Sequence, residues 1–193
     1  MSPLRQRFAS PGLRLGVRES FSVPGLMVAA SYLGFGSLVK GTGLSLWLGL
    51  TSTATGWALP GQIALVELYG TGASLAAIGM GVWLTNARLL PLTITLMPLI
   101  DDRACRGGPA WFPYLYAHLI AVTGWLVAMR RGPELPPDQR LPYFLGFAGS
   151  LWVQSLVATA IGWELAGRVP VALTLALVLL NPLYFMLMLV GVR

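Results

Sequence analysis

The sequence predicts an all-α integral membrane protein, and composition is the first of three reasons. Of the 193 residues, 55% are hydrophobic and 10% are charged, and the mean hydropathy is +0.70. Soluble domains carry about 25% charged residues, so this chain has too few to cover a soluble surface. The apolar residues form runs that are long enough to cross a bilayer as helices. Basic residues stand at the ends of these runs, where membrane proteins carry their topology signals.

About six apolar runs make up the predicted membrane domain. A single polytopic domain is expected over residues 21–193, with runs at 21–39, 44–69, 75–100, 111–129, 141–165 and 171–192. Residues 1–20 are expected to be a basic tail that leads into the first span. Because Arg14 and Arg18 are four residues apart, a short amphipathic helix on the membrane surface is the alternative.

Lysine and arginine predict the orientation of the chain. With six spans, the side that holds the N-terminus carries eight basic residues and the other side carries four. Cytoplasmic loops carry the excess, so we predict a multi-pass protein of the cell (inner) membrane with a cytoplasmic N-terminus. The eight are Arg5, Arg7, Arg14, Arg18, Arg130, Arg131, Arg140 and Arg193, and the four are Lys40, Arg103, Arg106 and Arg168.

Composition also argues against several classes of function. The net charge is +6, but the basic residues are dispersed over the ends of apolar runs and do not form a phosphate-binding face. We therefore expect contact with membrane lipid and no nucleic-acid partner. The one cysteine, Cys105, excludes an internal disulfide and a CxxC metal or redox site. Without a visible nucleophile–base pair or cofactor motif, neither enzyme activity nor a cofactor is predicted.

The second run is predicted to be a broken helix. Pro60 cannot donate to the Gly56 carbonyl, and its ring crowds the preceding turn. Irregular backbone at membrane depth is tolerated where protein or a water-filled cavity satisfies it, and broken helices present their ends to carboxylates or ions. The segment is thus a candidate binding site, with a kink healed by neighbouring hydroxyls as the alternative. The candidate residues are Thr53, Thr55, Gly56, Gly61 and Gln62.

The third run carries Asn86 and Arg88 near its centre, with Pro91 just after them. An arginine near the middle of a bilayer costs about 2.5–3.5 kcal/mol on insertion scales, so it needs a partner or a wet cavity. In an intact helix Asn86 and Arg88 point about 200° apart, but a break near Pro91 lets both address one cavity. We predict that both bind substrate. The alternative is that Arg88 pairs with Glu67 or Glu164, or snorkels to the interface.

Other polar residues in the runs have weaker functional interpretations. His118 and Glu67 are candidates for a proton relay. A single histidine near aromatic residues is more often a hydrogen-bonded packing residue, which is the favoured interpretation of His118. Gln154 and Asn181 are expected to bridge helices.

Two short stretches of the first half have similar counterparts in the second half. Residues 32–38 resemble residues 144–151, and residues 53–57 resemble residues 159–163. Internal repeats are common in transporters, but matches this short also arise by chance in Gly- and Leu-rich sequences.

Several features stand in a fixed order along about residues 21–190. They are a proline-led first span ending in Gly34-Phe-Gly36, then Ala58-Leu-Pro-Gly-Gln62, Asn86-Ala-Arg88, Tyr143-Phe-Leu-Gly146 and Leu180-Asn-Pro-Leu-Tyr-Phe185. This ordered set resembles the AzlC family, the large subunits of branched-chain amino-acid exporters. The chain departs from the family pattern at Leu59-Pro60, where the family has small residues, and at Leu89, where it often has histidine.

This resemblance implies a permease subunit that exports small hydrophobic, branched-chain amino acids such as valine. It also implies a small multi-span partner of the AzlD type. In that case Arg88 or the N–H groups of a broken helix are expected to bind the substrate carboxylate. The alternatives are a membrane scaffold or assembly subunit that transports nothing, and a channel for a small neutral solute.

Overall fold

The computed structural model describes residues 10–100 and 111–190, and it is helical, as the composition predicted. Helices account for 84% of the structure, and the described residues contain no β-strand. Predictions that fall on Arg5, Arg7, Arg103, Cys105, Arg106 and Arg193, and on the side chain of Asn181, lie outside the described residues.

Ten α-helices follow each other along the described chain. They are α1 (Pro11–Glu19), α2 (Val23–Gly41), α3 (Leu46–Gly56), α4 (Leu59–Gly70), α5 (Leu75–Asn86), α6 (Leu89–Ile100), α7 (Phe112–His118), α8 (Val122–Arg131), α9 (Pro137–Leu165) and α10 (Val171–Val190), with a 3-10 turn at Gly132–Glu134. Serine side chains begin three of them, since Ser10, Ser45 and Ser74 each accept a hydrogen bond from a backbone N–H of the first turn, at 3.3 Å.

Two helices, α2 and α9, are by themselves long and apolar enough to cross a membrane. The pairs α5–α6 and α7–α8 pass the same test when each is taken as one broken span, which raises the number to as many as four. The prediction of an all-α membrane protein is therefore confirmed. The full count of six spans remains a prediction, because α3 and α4 are short and α10 has a shorter apolar stretch over Val171–Tyr184.

The second and third runs are both broken, as predicted, and each break lies just before its proline. Residues 57–58 separate α3 from α4, and Pro60 is the second residue of α4. Residues 87–88 separate α5 from α6, and Pro91 is the third residue of α6. The first turn of a helix tolerates proline because its N–H groups have no partner inside the helix.

The fourth run is also interrupted, although the sequence predicted one span over residues 111–129. Helices α7 and α8 are bent by 108° at residues 119–121. Neither proline nor glycine stands at these three positions, so the usual breaker signal is missing.

Two compact units divide the chain. The first contains residues 1–22 and 88–151, and the second contains residues 23–87 and 152–193. Helix α9 contributes its first part to the first unit and its last part to the second. The single membrane domain predicted for residues 21–193 remains a prediction.

Glycines bring two helices into backbone contact in the first unit. A Cβ added to Gly16 of α1 would collide with the Tyr143 carbonyl oxygen of α9, and one added to Gly146 would collide with the Leu13 carbonyl oxygen. Residues 11–19 are therefore a helix packed through its glycine face, and the basic cytoplasmic segment expected over residues 1–20 remains a prediction. Arg14 and Arg18 are exposed on it. Its placement on a membrane surface remains a prediction.

The second unit contains a crossing of the same kind. A Cβ on Gly36 of α2 would collide with the Thr159 carbonyl oxygen of α9, and one on Gly162 would collide with the Leu33 carbonyl oxygen. The two crossings have the same pattern. The glycine of the first helix lies against the carbonyl of the residue three before the α9 glycine, and the α9 glycine lies against the carbonyl of the residue three before the first glycine. Both crossings are tight because neither helix presents a side chain at the contact.

Candidate functional site

The break between α3 and α4, in the second unit, contains a buried amide that holds three hydroxyls. Gln62 lies in the first turn of α4 and is 3% exposed. Its Oε1 accepts a hydrogen bond from the Tyr32 hydroxyl at 3.0 Å. Its Nε2 donates to Ser52 Oγ at 3.1 Å and to Thr53 Oγ1 at 2.9 Å. The amide therefore ties α2 and α3 to the beginning of α4.

Thr53 extends this network to α9. Its hydroxyl donates to the Gly49 carbonyl at 3.0 Å and lies 3.3 Å from the Thr159 hydroxyl. Thr159 in turn donates to the Ser155 carbonyl at 2.8 Å. Both threonines are fully buried. The two residues are equivalent in the internal similarity between residues 53–57 and 159–163, so equivalent positions of the two stretches touch.

Two tryptophans fix the non-helical residues of the break. Trp57, which follows α3, is buried, and its Nε1 donates to Ser155 Oγ at 3.3 Å. Trp152 Nε1 donates to the Ala54 carbonyl, near the end of α3, at 3.3 Å. Helix α9 thus anchors both sides of the interruption, which makes it a fixed feature of the second unit.

The beginning of α4 retains donors that no described residue uses. No side chain caps this helix, and Pro60 has no N–H. The Gln62 N–H donates to the Ala58 carbonyl at 3.1 Å. The N–H groups of Leu59 and Gly61 have no acceptor among the described residues. Free N–H groups at a helix N-terminus favour an anion such as a carboxylate.

Asn86, the last residue of α5, lies against this same turn. A Cβ on Gly61 would collide with the Asn86 amide, whose Cγ and Nδ2 would be 2.8 Å away. Asn86 Oδ1 is buried and has no hydrogen-bond partner. Leaving a buried acceptor unpaired costs about 1–3 kcal/mol. The structure therefore brings together three predicted site residues, Gln62, Gly61 and Asn86.

Two further candidates of the second run lie at the edge of this arrangement. Thr55 is exposed, and its hydroxyl donates to the Thr51 carbonyl of its own helix at 2.7 Å. Gly56 is half-buried, and a Cβ added there would meet open space. Their role in binding remains a prediction.

The remaining candidates are outside this cluster. Arg88 belongs to the first unit, where it is exposed in the interruption before α6. Two ion pairs are found among the described residues, and both involve Arg131 and not Arg88. Glu67 is exposed near the end of α4, and His118 is exposed as the last residue of α7, beside the 108° bend. A shared cavity for Asn86 and Arg88 and a relay through His118 and Glu67 remain predictions.

Six polar residues of the network were not among the predicted site residues. They share one signal, a hydroxyl or indole inside an apolar run, which is common in membrane helices and therefore weakly specific. These residues are Tyr32, Ser52, Trp57, Trp152, Ser155 and Thr159. Within the described ranges, no group of three or more His, Cys, Asp or Glu side chains could hold a metal ion.

An all-α chain with apolar spans and two helices broken around polar groups is typical of membrane transport proteins. The family model described as AzlC protein matches residues 25–169. The chain therefore belongs to the AzlC family, and the resemblance stated from the sequence is confirmed. This is a transporter-type family related to branched-chain amino acids, and not a family of enzymes. Comparison with curated proteins and with solved structures gives no match.

Proposed function

We propose that this chain is the large subunit of a permease that exports small branched-chain amino acids such as valine. The observation that carries the proposal is the first turn of α4, which has unused N–H donors just after the break in the second apolar run. These donors are suited to the substrate carboxylate, as in other transporters with discontinuous helices. The apolar residues of the surrounding spans would accept the aliphatic side chain.

The hydrogen-bond network supports this role because it holds the turn in place. The Gln62 amide bonds the buried hydroxyls of Tyr32 and Thr53 and the half-buried hydroxyl of Ser52. Trp57 and Trp152 fix the residues before the turn. A binding site gains affinity when its groups are held in position by a second set of contacts. The network is therefore proposed to position the donors, and Gln62 and Thr53 to act as positioning residues.

Arg88 is proposed to attract the anionic end of the substrate from within the third run. It is exposed, and its cation stands in the interruption of a span. Charged residues inside membrane segments commonly line a transport pathway. A small AzlD-type subunit is proposed as the partner, in an inner-membrane complex with the N-terminus in the cytoplasm.

Efflux of labelled valine tests the proposal. Cells or proteoliposomes with the full chain, with and without the small subunit, are loaded with labelled L-valine, and release is followed over time. We expect release only with the full chain present. Gln62→Leu should reduce the rate about tenfold or more, because three hydroxyls lose their partner and the turn loses its position. Arg88→Ala should also slow release.

The matched control is Thr51→Val, which removes an exposed hydroxyl bonded only to the Trp47 and Leu48 carbonyls of its own helix. It should release valine normally. Normal export by correctly inserted Arg88→Ala would contradict the role of Arg88. Absence of export by the wild type would contradict the permease.

A scaffold function is the second candidate, and one observation favours it. The Gln62 amide is satisfied entirely within the protein, as expected for a residue that only packs helices. A scaffold would give no valine flux, whereas Gln62→Leu would still weaken assembly. A channel for a small neutral solute, in contrast, would show flux that saturates weakly and ignores the proton gradient.

A further inference from the structure

We propose that Asn86 Oδ1 accepts a hydrogen bond from the α-ammonium group of the transported amino acid. Asn86 would then distinguish an amino acid from a carboxylic acid with the same carbon skeleton. The inference rests on the proposed function and assigns a specific role to one atom of the same site.

The first step is that this oxygen lacks a partner inside the protein. It is buried, and no described residue donates to it. Buried polar groups in native proteins are paired in the great majority of cases. A ligand with an N–H donor would give Asn86 Oδ1 the hydrogen bond that it lacks in the protein.

The second step is that the neighbouring amide cannot satisfy it. Gln62 follows Gly61 directly, but its Nε2 already donates to Ser52 and Thr53. Gly61 has no side chain, and the Asn86 amide occupies the space in which a Cβ would stand. The oxygen therefore stays unpaired while the network around Gln62 is intact.

The third step is the match to the main chain of an amino acid. The first turn of α4 offers the N–H groups of Leu59 and Gly61, which suit a carboxylate. Asn86 Oδ1 lies against Gly61 in the same turn and offers an acceptor, which suits an ammonium group. In an α-amino acid these two groups are attached to one carbon. Donors and an acceptor that share one helical turn are thus complementary to that pair.

The fourth step is selectivity. A carboxylic acid without an amino group would accept hydrogen bonds from the N–H groups of α4 and would leave Asn86 Oδ1 unpaired. Sites built to bond a substrate N–H or O–H discriminate strongly against analogues that lack it. The probe is 3-methylbutanoate, which has the carbon skeleton of valine and no amino group.

The test is competition binding to the full chain in lipid nanodiscs, with its small subunit if one co-purifies. Labelled L-valine is displaced by unlabelled L-valine or by 3-methylbutanoate. We expect the wild type to prefer valine by about tenfold or more. In Asn86→Leu, which has the same branching of side-chain heavy atoms and no acceptor, valine affinity should fall about tenfold while 3-methylbutanoate affinity stays unchanged.

Two further variants complete the test. Asn86→Asp keeps the shape of the side chain and an acceptor, so it should keep or increase the preference for valine. This variant also replaces Asn86→Leu in the test if the leucine variant does not fold. Thr51→Val should behave as the wild type. An unchanged preference in Asn86→Leu, or a lost preference in Asn86→Asp, would overturn the inference while leaving the permease intact. A wild type that binds neither compound would overturn both.

Discussion

Glu19 links three elements of the first unit through one carboxylate. It stands at the end of α1, forms an ion pair with Arg131 at the end of α8, and accepts a hydrogen bond from the Tyr143 hydroxyl of α9 at 2.5 Å. Burial by itself would raise the pKa of Glu19. The hydrogen bonds from Arg131 and Tyr143 outweigh burial and hold its pKa below the ordinary value.

The lowered pKa predicts a loss of stability in acid. A carboxylate whose pKa is lower in the folded state stabilises the fold above the pKa of the unfolded state, and this contribution disappears as the pH falls through the folded pKa. We expect the melting temperature of the wild type to fall as the pH is lowered from about 5 to about 3. In Glu19→Gln the melting temperature should be lower at pH 7 and change less over that range.

Glu134→Gln is the control for this measurement. Glu134 also pairs with Arg131, at 2.8 Å, but its side chain is 63% exposed. Exposed ion pairs contribute little to stability, so this variant should follow the wild-type profile. Identical profiles for Glu19→Gln and the wild type would show that the carboxylate does not link the three helices.

At the scale of elements, the two glycine crossings are the closest helix contacts described here. Gly36→Ala or Gly162→Ala forces a methyl group into a carbonyl oxygen of the facing helix. Overpacking of this kind costs about 1–3 kcal/mol. We expect either substitution to lower the melting temperature of the purified protein by several degrees, roughly in proportion to that cost.

Gly149 provides a matched control on the same helix. A Cβ added there meets nothing within 4 Å. Alanine is a better helix former than glycine by about 1 kcal/mol, so Gly149→Ala should be neutral or slightly stabilising. Equal losses in Gly149→Ala and Gly162→Ala would mean that the effect comes from the helix and not from the crossing.

The sequence predicted the helix breaks correctly where a proline lies next to the break. Pro60 and Pro91 located both interruptions to within a few residues, since proline disturbs the turn before it and is tolerated in the turn after it. The bend between α7 and α8 carries no such residue. It was missed because tertiary packing, and not a local breaker, decides it.

Only part of the candidate site was predicted, because its contacts also depend on tertiary packing. Gln62 and Asn86 were identified because amides are costly in an apolar span, and the structure places both at the first turn of α4. Tyr32, the partner of Gln62, lies 30 residues earlier in α2, and Thr159, the partner of Thr53, lies 106 residues later in α9. A single sequence contains no information on which hydroxyl reaches which amide across such separations.

At the scale of the whole molecule, the distribution of basic residues predicts which loops face the cytoplasm. In a background without Cys105, single cysteines at the exposed positions Gly43 and Pro136 would report on the two sides. A membrane-impermeant maleimide added to intact cells should label Gly43→Cys and not Pro136→Cys. After the membrane is opened, both should react.

The reason for this expectation is the positive-inside rule applied to six spans. Arg130 and Arg131 lie in the same loop as Pro136, whereas Lys40 alone precedes Gly43. Labelling of both positions from outside would contradict the six-span arrangement. Labelling of Pro136→Cys alone would invert the orientation and place the N-terminus outside the cytoplasm.

The glycine crossings also limit how this gene can vary. Every amino acid that a single nucleotide change can put in place of glycine carries a Cβ. At Gly16, Gly36, Gly146 and Gly162 that atom would collide with a carbonyl oxygen of the facing helix. Every amino-acid change that a single nucleotide substitution can make at these four codons therefore costs stability, whereas the codon of Gly149 accepts alanine without a collision. In random mutagenesis scored by folded protein in the membrane, substitutions should be rarer at those four positions than at Gly149.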